Sequence, residues 1–173
     1  STFIRQRIGL DYDPASFLIS GGGRPLIYAV FRTICDKGES VIYPVPSWNN
    51  NHYTHFIEGE HICIETKAEH NFLPTAEELI PHFGKATLLA LCSPLNPTGT
   101  VFSKDQLSKI CEAVIAENKS RKPGQKPLYI LYDQIYWTLT YGNAEHYNPV
   151  SLFPELKPYT IFIDGISKAF CAT

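Results

Sequence analysis

Short, uninterrupted apolar runs alternate along the chain with segments whose apolar residues recur every three or four positions. The runs lie at 17–19, 40–43, 61–64, 86–92, 128–132 and 160–163, and each is predicted as a strand. Between them, Leu26, Ile27, Val30, Phe31 and Ile34 share one helical face, with Pro25 in the first turn and Lys37-Gly38 at the close. Thr75 and Glu78 have the spacing of a capping box, opening a brief helix that ends near Pro81. Ser103 caps a longer helix carrying Leu107, Ile110, Cys111, Val114 and Ile115 on one side. Residues 1–7 read as the tail of a helix stopped by Gly9, and Gly21-Gly22-Gly23 as a turn. Buried strands separated by amphipathic helices predict an α/β fold, a largely parallel sheet covered on both faces. In such sheets the chemistry gathers at the carboxyl ends of the strands.

Composition narrows the classes of function. The chain has 173 residues, 44% hydrophobic and 18% charged, enough for one good core. With 15 Lys+Arg against 17 Asp+Glu, its formal net charge is -2, and no basic excess draws it to nucleic acid. The basic residues Lys119, Arg121, Lys122 and Lys126 fall in a Pro- and Gly-containing stretch, 117–127, read as a solvated loop. The five cysteines form no Cys-x-x-Cys pair, and Cys63, Cys92 and Cys111 lie in apolar runs. Buried free thiols point to a reducing, cytoplasmic compartment. No stretch has the length of a membrane span, and no signal peptide opens the chain. There is no Met at all, and both ends read as cut from a longer protein.

The polar residues at the predicted strand ends carry the chemistry. Gly21-Gly22-Gly23-Arg24 is either a tight structural turn or a cradle of N–H groups for a phosphate at a helix start. Trp48, after the proline-rich loop 44–47, is a core or lid aromatic or a flat surface for a cofactor ring. Asn96 opens an Asn-Pro-Thr-Gly turn, and its amide could equally donate to a phenolate oxygen. Asp133 at the mouth of a buried strand is a helix cap or the partner of a pyridinium nitrogen. Tyr136, three residues on, can reach the same side. Lys168 follows Asp164-Gly165-Ile166-Ser167 at the end of another apolar run. It is a surface lysine or a buried amine of lowered pKa, able to form a Schiff base with pyridoxal phosphate. His52-x-x-His55 has no supporting ligand, so no metal site is expected. Ser167-Lys168 lacks the spacing of a serine nucleophile.

The ordered motifs Ser93-Pro94-Leu95-Asn96-Pro97-Thr98-Gly99-Thr100, Tyr132-Asp133-x-x-Tyr136 and Ser167-Lys168-Ala169-Phe170-Cys171-Ala172-Thr173 carry a resemblance. The chain resembles the large domain of class I/II aminotransferases, the aspartate-aminotransferase-like group of fold-type-I pyridoxal-phosphate enzymes. The resemblance implies a three-layer α/β/α sandwich around a mostly parallel mixed sheet. It implies that Gly22, Gly23 and Arg24 receive the phosphate and that Trp48 stacks on the ring. It makes Asn96 and Tyr136 the partners of the ring oxygen, Asp133 of the ring nitrogen, and Lys168 the Schiff-base lysine. Two departures stand out: Gly165 where a phosphate-binding serine is common, and a longer 117–127 segment. The family pattern continues past Thr173 with a phosphate-clamping arginine, and a substrate-carboxylate arginine belongs to a C-terminal small domain. Residues 1–173 would then be part of a large domain, without the N-terminal arm and small domain, from a homodimer acting on amino acids and 2-oxo acids. A carbon–sulfur lyase of the same fold, or a non-catalytic regulatory domain, shares these residues.

Overall fold

A computed structural model describes residues 2–172. Five strands form one sheet: β1 (Ser40–Val45), β2 (Glu60–Glu65), β3 (Ala86–Cys92), β4 (Tyr129–Asp133) and β5 (Thr160–Ile163). Their order is β2-β1-β3-β4-β5, and all four pairings are parallel. Among the described residues no antiparallel strand joins them, so the mixed character expected of the sheet is not seen there. The helices are α1 (Thr2–Ile8), α2 (Gly23–Ile34), α3 (Asn50–Phe56), α4 (Ala76–Phe83), α5 (Lys104–Ser120), α6 (Pro149–Leu152) and α7 (Ile166–Ala169).

Period-two alternation within the strands divides the core into two layers. Ile42, Leu89, Leu91, Ile130 and Tyr132 face α4 and α5, packing on Leu79, Phe83, Leu107, Ile110 and Val114. Val41, Tyr43, Leu88, Ala90 and Leu131 point the other way, onto Ile27 and Phe31 of α2 and Tyr53 of α3. The result is the three-layer arrangement, helices on both faces of a parallel sheet. From β1 the chain moves outward to β2, then returns past β1 to β3, which makes the β1/β3 boundary the switch point.

Local signals act as expected at several ends. Thr75 and Glu78 exchange reciprocal hydrogen bonds at 3.3 and 2.9 Å, as do Ser103 and Gln106 at 3.2 and 3.1 Å. Gly9, at φ 69, ends α1. Helix α4 continues two residues past Pro81, which forfeits one ladder hydrogen bond.

Other expectations are corrected. Residues 17–19 form no strand: Leu18 and Ile19 are 74% and 92% exposed. Pro14–Ser16 is a 3-10 turn capped by Asp13, and no neighbouring strand offers a ladder to the residues after it. Segment 117–127 is only in part the solvated loop expected: residues 122–125 form an exposed turn, but the segment begins as helix and encloses Arg121. Helix α5 runs to Ser120, and the Arg121 side chain, 6% exposed, pairs with Glu117 at 2.9 Å. Arg121 also donates to the carbonyls of Phe83 and Ala86, both at 2.8 Å, and to that of Lys126. Lys126 in turn reaches Asp36 and Glu39. Cys111 and Cys35 are buried thiols, whereas Cys63 is exposed on the edge strand β2 and Cys92 is half-buried. No helix among the described residues is long and apolar enough to cross a membrane.

Candidate active site

The carboxyl ends of β1, β3, β4 and β5 and the N-terminus of α2 enclose a cleft of ≈ 340 Å³. Gly23, Arg24, Trp48, Asn96, Asp133, Tyr136 and Lys168 line it, together with Ile27, Ile135, Ile163 and Ser167. Seven of the eight residues singled out in the sequence therefore share one cavity. The eighth, Gly22, is the N-cap of α2, immediately beside it.

Each side chain owes its place to local structure. Gly22 has φ 146, a conformation closed to side-chain-bearing residues, and it offers no capping group to the first N–H groups of α2. Gly23 packs beside Ile135 and Ile163, which an added Cβ would meet at ordinary contact distances of 3.5 and 3.8 Å. Trp48 follows Pro46 and is 49% exposed, with the Arg24 guanidinium 5.6 Å from its ring centre. Asn96 sits in a turn closed by Leu95 N–H to Thr100 O (2.8 Å) and Gly99 N–H to Leu95 O (2.7 Å). Its amide donates to the Tyr136 hydroxyl at 3.2 Å. The Tyr136 oxygen is thus an acceptor already, and its own proton is free for a partner in the cleft. Burial, first of all, keeps that phenol protonated.

Asp133 is the last residue of β4, opposite Cys92 and Ile163 in the ladder. Its carboxylate receives one protein hydrogen bond, from the Ile135 N–H at 3.1 Å. Desolvation pushes it up to about 6; the Ile135 N–H opposes this and the nearby Asp164 charge adds to it. A buried carboxylate with a single donor gains from a cationic N–H supplied by a ligand. Lys168 lies in α7, a single helical turn, with Nζ 6.0 Å from the centre of the Tyr136 ring. It lines the cleft yet is exposed, so of the two alternatives read from the sequence the buried amine is not seen. Gly165 allows the turn to pass close to Ile135, 3.4 Å from where a Cβ would sit.

The residues present suit pyridoxal phosphate. Free N–H groups at the start of α2 match a phosphate, Trp48 offers a ring face, Tyr136 and Asn96 match a ring oxygen, and the under-donated Asp133 matches a ring nitrogen. Sequence reasoning missed Ile135 and Ile163, the apolar floor. They are ordinary core residues in the sequence, and only the fold shows that they come together.

The chain is similar to known proteins in sequence and in fold. The family model "Aminotransferase class I and II" matches residues 2–173. An aspartate aminotransferase of Geobacillus stearothermophilus is 32% identical over 167 residues, covering 95% of this chain and 40% of that protein. The aspartate aminotransferase structure from Rhizobium meliloti superposes with a TM-score of 0.90 at 26% identity, covering 98% of this chain and 41% of that one. An aromatic aminotransferase from Pyrococcus horikoshii OT3 gives 0.87 at 25% identity, covering 99% and 44%. The chain spans about 40% of the length of the curated relatives it matches most strongly. On this evidence the chain belongs to the class I and II aminotransferase family.

Proposed function

We propose that this chain is part of the large domain of a pyridoxal-phosphate-dependent aminotransferase that moves an amino group from an L-amino acid to a 2-oxo acid. The observation that carries the reading is one cleft holding Lys168, Asp133, Tyr136 and the N-terminus of α2. The N–H groups around Gly22, Gly23 and Arg24 bind the phosphate, helped by the positive end of α2. Trp48 covers one ring face, while Tyr136, oriented by Asn96, donates to the ring oxygen. Asp133 holds a proton at the ring nitrogen, because its own ionised form is poorly solvated without a cationic partner. When bound, pyridoxal phosphate supplies an aldehyde carbon that captures amino groups and a ring that accepts the electron pair left on the substrate. Lys168 is the amine that anchors the cofactor, and once released its Nζ moves the proton at the substrate α-carbon.

The first relatives named above are aspartate aminotransferases, which favours transamination over carbon–sulfur elimination. A homodimer in the cytoplasm is part of the same proposal. The test is direct: add pyridoxal phosphate, reduce with borohydride, digest, and weigh the peptides. The expected result is a fixed adduct on Lys168, lost together with turnover in Lys168→Ala. An adduct on another lysine, or full turnover in that variant, refutes the assignment.

A further inference from the structure

Behind the cleft, the segments after β4 and β5 are tied together by contacts that the roles above leave unused. The Trp137 indole N–H donates to the Asp164 carboxylate, 3.1 and 3.2 Å from its two oxygens. Asp164 Oδ1 also accepts from the Gly165 N–H at 2.7 Å, and Gly165 is the N-cap of α7, the turn that bears Lys168. The Gln134 N–H reaches Ile163 O at 3.0 Å, adding a backbone tie between the two segments. The Trp137 ring is itself wedged, 6.1 Å from the Phe3 ring and 6.0 Å from that of His146. His146 and Asn148 in turn hold the Gln134 side-chain oxygen, at 3.3 and 2.8 Å. Gln134 and Asn148 are fully buried, so this buttress cannot relax into water.

We propose, on the basis of the aminotransferase reading above, that Trp137 and Asp164 are positioning residues. Their hydrogen bond locks the Lys168 turn to the loop carrying Tyr136, and Asp164, one residue past the ladder partner of Asp133, places a second carboxylate beside it. A half-buried carboxylate held by an indole and an amide donor has one favoured orientation, so the tie fixes direction as well as distance. The other groups facing Asp133 do not supply that charge. Cys92 on β3, Tyr53 on α3 and Tyr136 are all kept neutral by burial. Arg24 on α2 and Lys168 on α7 line the same cleft. Burial raises the carboxyl of Asp164 itself, against the nearby donors of Gly165, Trp137 and Gln134, and Asp164 joins desolvation in raising the proton affinity of Asp133.

Two variants of the ligand-free chain separate charge from tether. Asp164→Asn keeps an acceptor for Trp137 and Gly165 but removes the charge. A carbon-13 carboxyl titration should show the Asp133 midpoint falling below about 6. Trp137→Phe keeps the charge and the ring but removes the donor. Amide hydrogen exchange at Gly165 and Ile166 should quicken roughly tenfold, the loss of one charge-assisted hydrogen bond, while Leu89 and Leu131 in the core stay protected. An unmoved Asp133 midpoint in the first variant overturns the charge role. Unchanged exchange in the second, or a rise shared by the core amides, overturns the tether. Neither readout involves cofactor, so these outcomes are distinct from failure of the Lys168 adduct test.

Discussion

Replacing Asp133 by asparagine should stabilise the ligand-free chain at neutral pH while weakening its hold on the cofactor. An aspartate carboxyl ordinarily titrates near 3.8, but burial moves this one to about 6. The folded chain therefore binds that proton more tightly than the unfolded chain does. As pH climbs from about 4 to about 6 the unfolded state gives up the proton first, so stability falls across that window and stays low above it. The gap is roughly two pH units, and at about 1.36 kcal/mol each it amounts to about 3 kcal/mol by pH 7. Asparagine keeps an oxygen for the Ile135 N–H and carries no charge at any of these pH values, so the whole penalty disappears. Urea denaturation at pH 4 and pH 7 measures it. With a slope of about 2 kcal/mol per molar for a chain of this size, the midpoint should rise by roughly 1–2 M at pH 7 and hardly at all at pH 4. A midpoint unchanged or lowered at pH 7, or an equal gain at pH 4, would refute the claim that Asp133 is held at the site at a cost to the fold.

Arg121→Met should destabilise the chain by about 3–5 kcal/mol, since it strands Glu117 and three carbonyls; a loss under about 1 kcal/mol in the same urea assay contradicts the pinned description of 117–127. Gly22→Ala should cost about 1–3 kcal/mol through backbone strain at φ 146, whereas Gly21→Ala, with nothing within 4 Å of an added Cβ, should be neutral; equal costs would refute the distinction. Tyr136→Phe leaves the Asn96 amide without its acceptor and should weaken cofactor retention about tenfold, read from the concentration dependence of the bound cofactor's absorbance.

Legibility in the sequence tracked how local the physics was. Strand β3 is apolar but for Thr87 and buried along its first six residues, on both faces, so it announced itself. Thr75 and Ser103 fixed helix starts because a cap is a contact three residues long. Helix α3 went unseen, since Asn50–Phe56 is polar and histidine-rich, and only Tyr53 and Thr54 are buried. Residues 17–19 misled for the converse reason: an apolar triplet suits a strand, but a strand exists only where a neighbour offers its edge. Arg121 misled because its four partners lie at 83, 86, 117 and 126, and no sequence window suggests that a cation there would be enclosed. Within the cleft, the polar residues were legible as chemistry while their floor was not.

The parallel ladder also has a metric consequence for the cleft. Cys92, Asp133 and Ile163 are ladder neighbours at the ends of three successive strands, and hydrogen-bonded neighbours in a sheet are spaced by about 4.8 Å, so the span from the first to the third is about 10 Å. That is the scale of one substituted aromatic ring, and it is set by peptide groups common to every sequence. The sheet thus serves as a ruler for the mouth of the cleft, from which the segments bearing Asn96 and Lys168 set out. Asp133 itself, as the last residue of β4, keeps its place on that ruler while the loops around it vary.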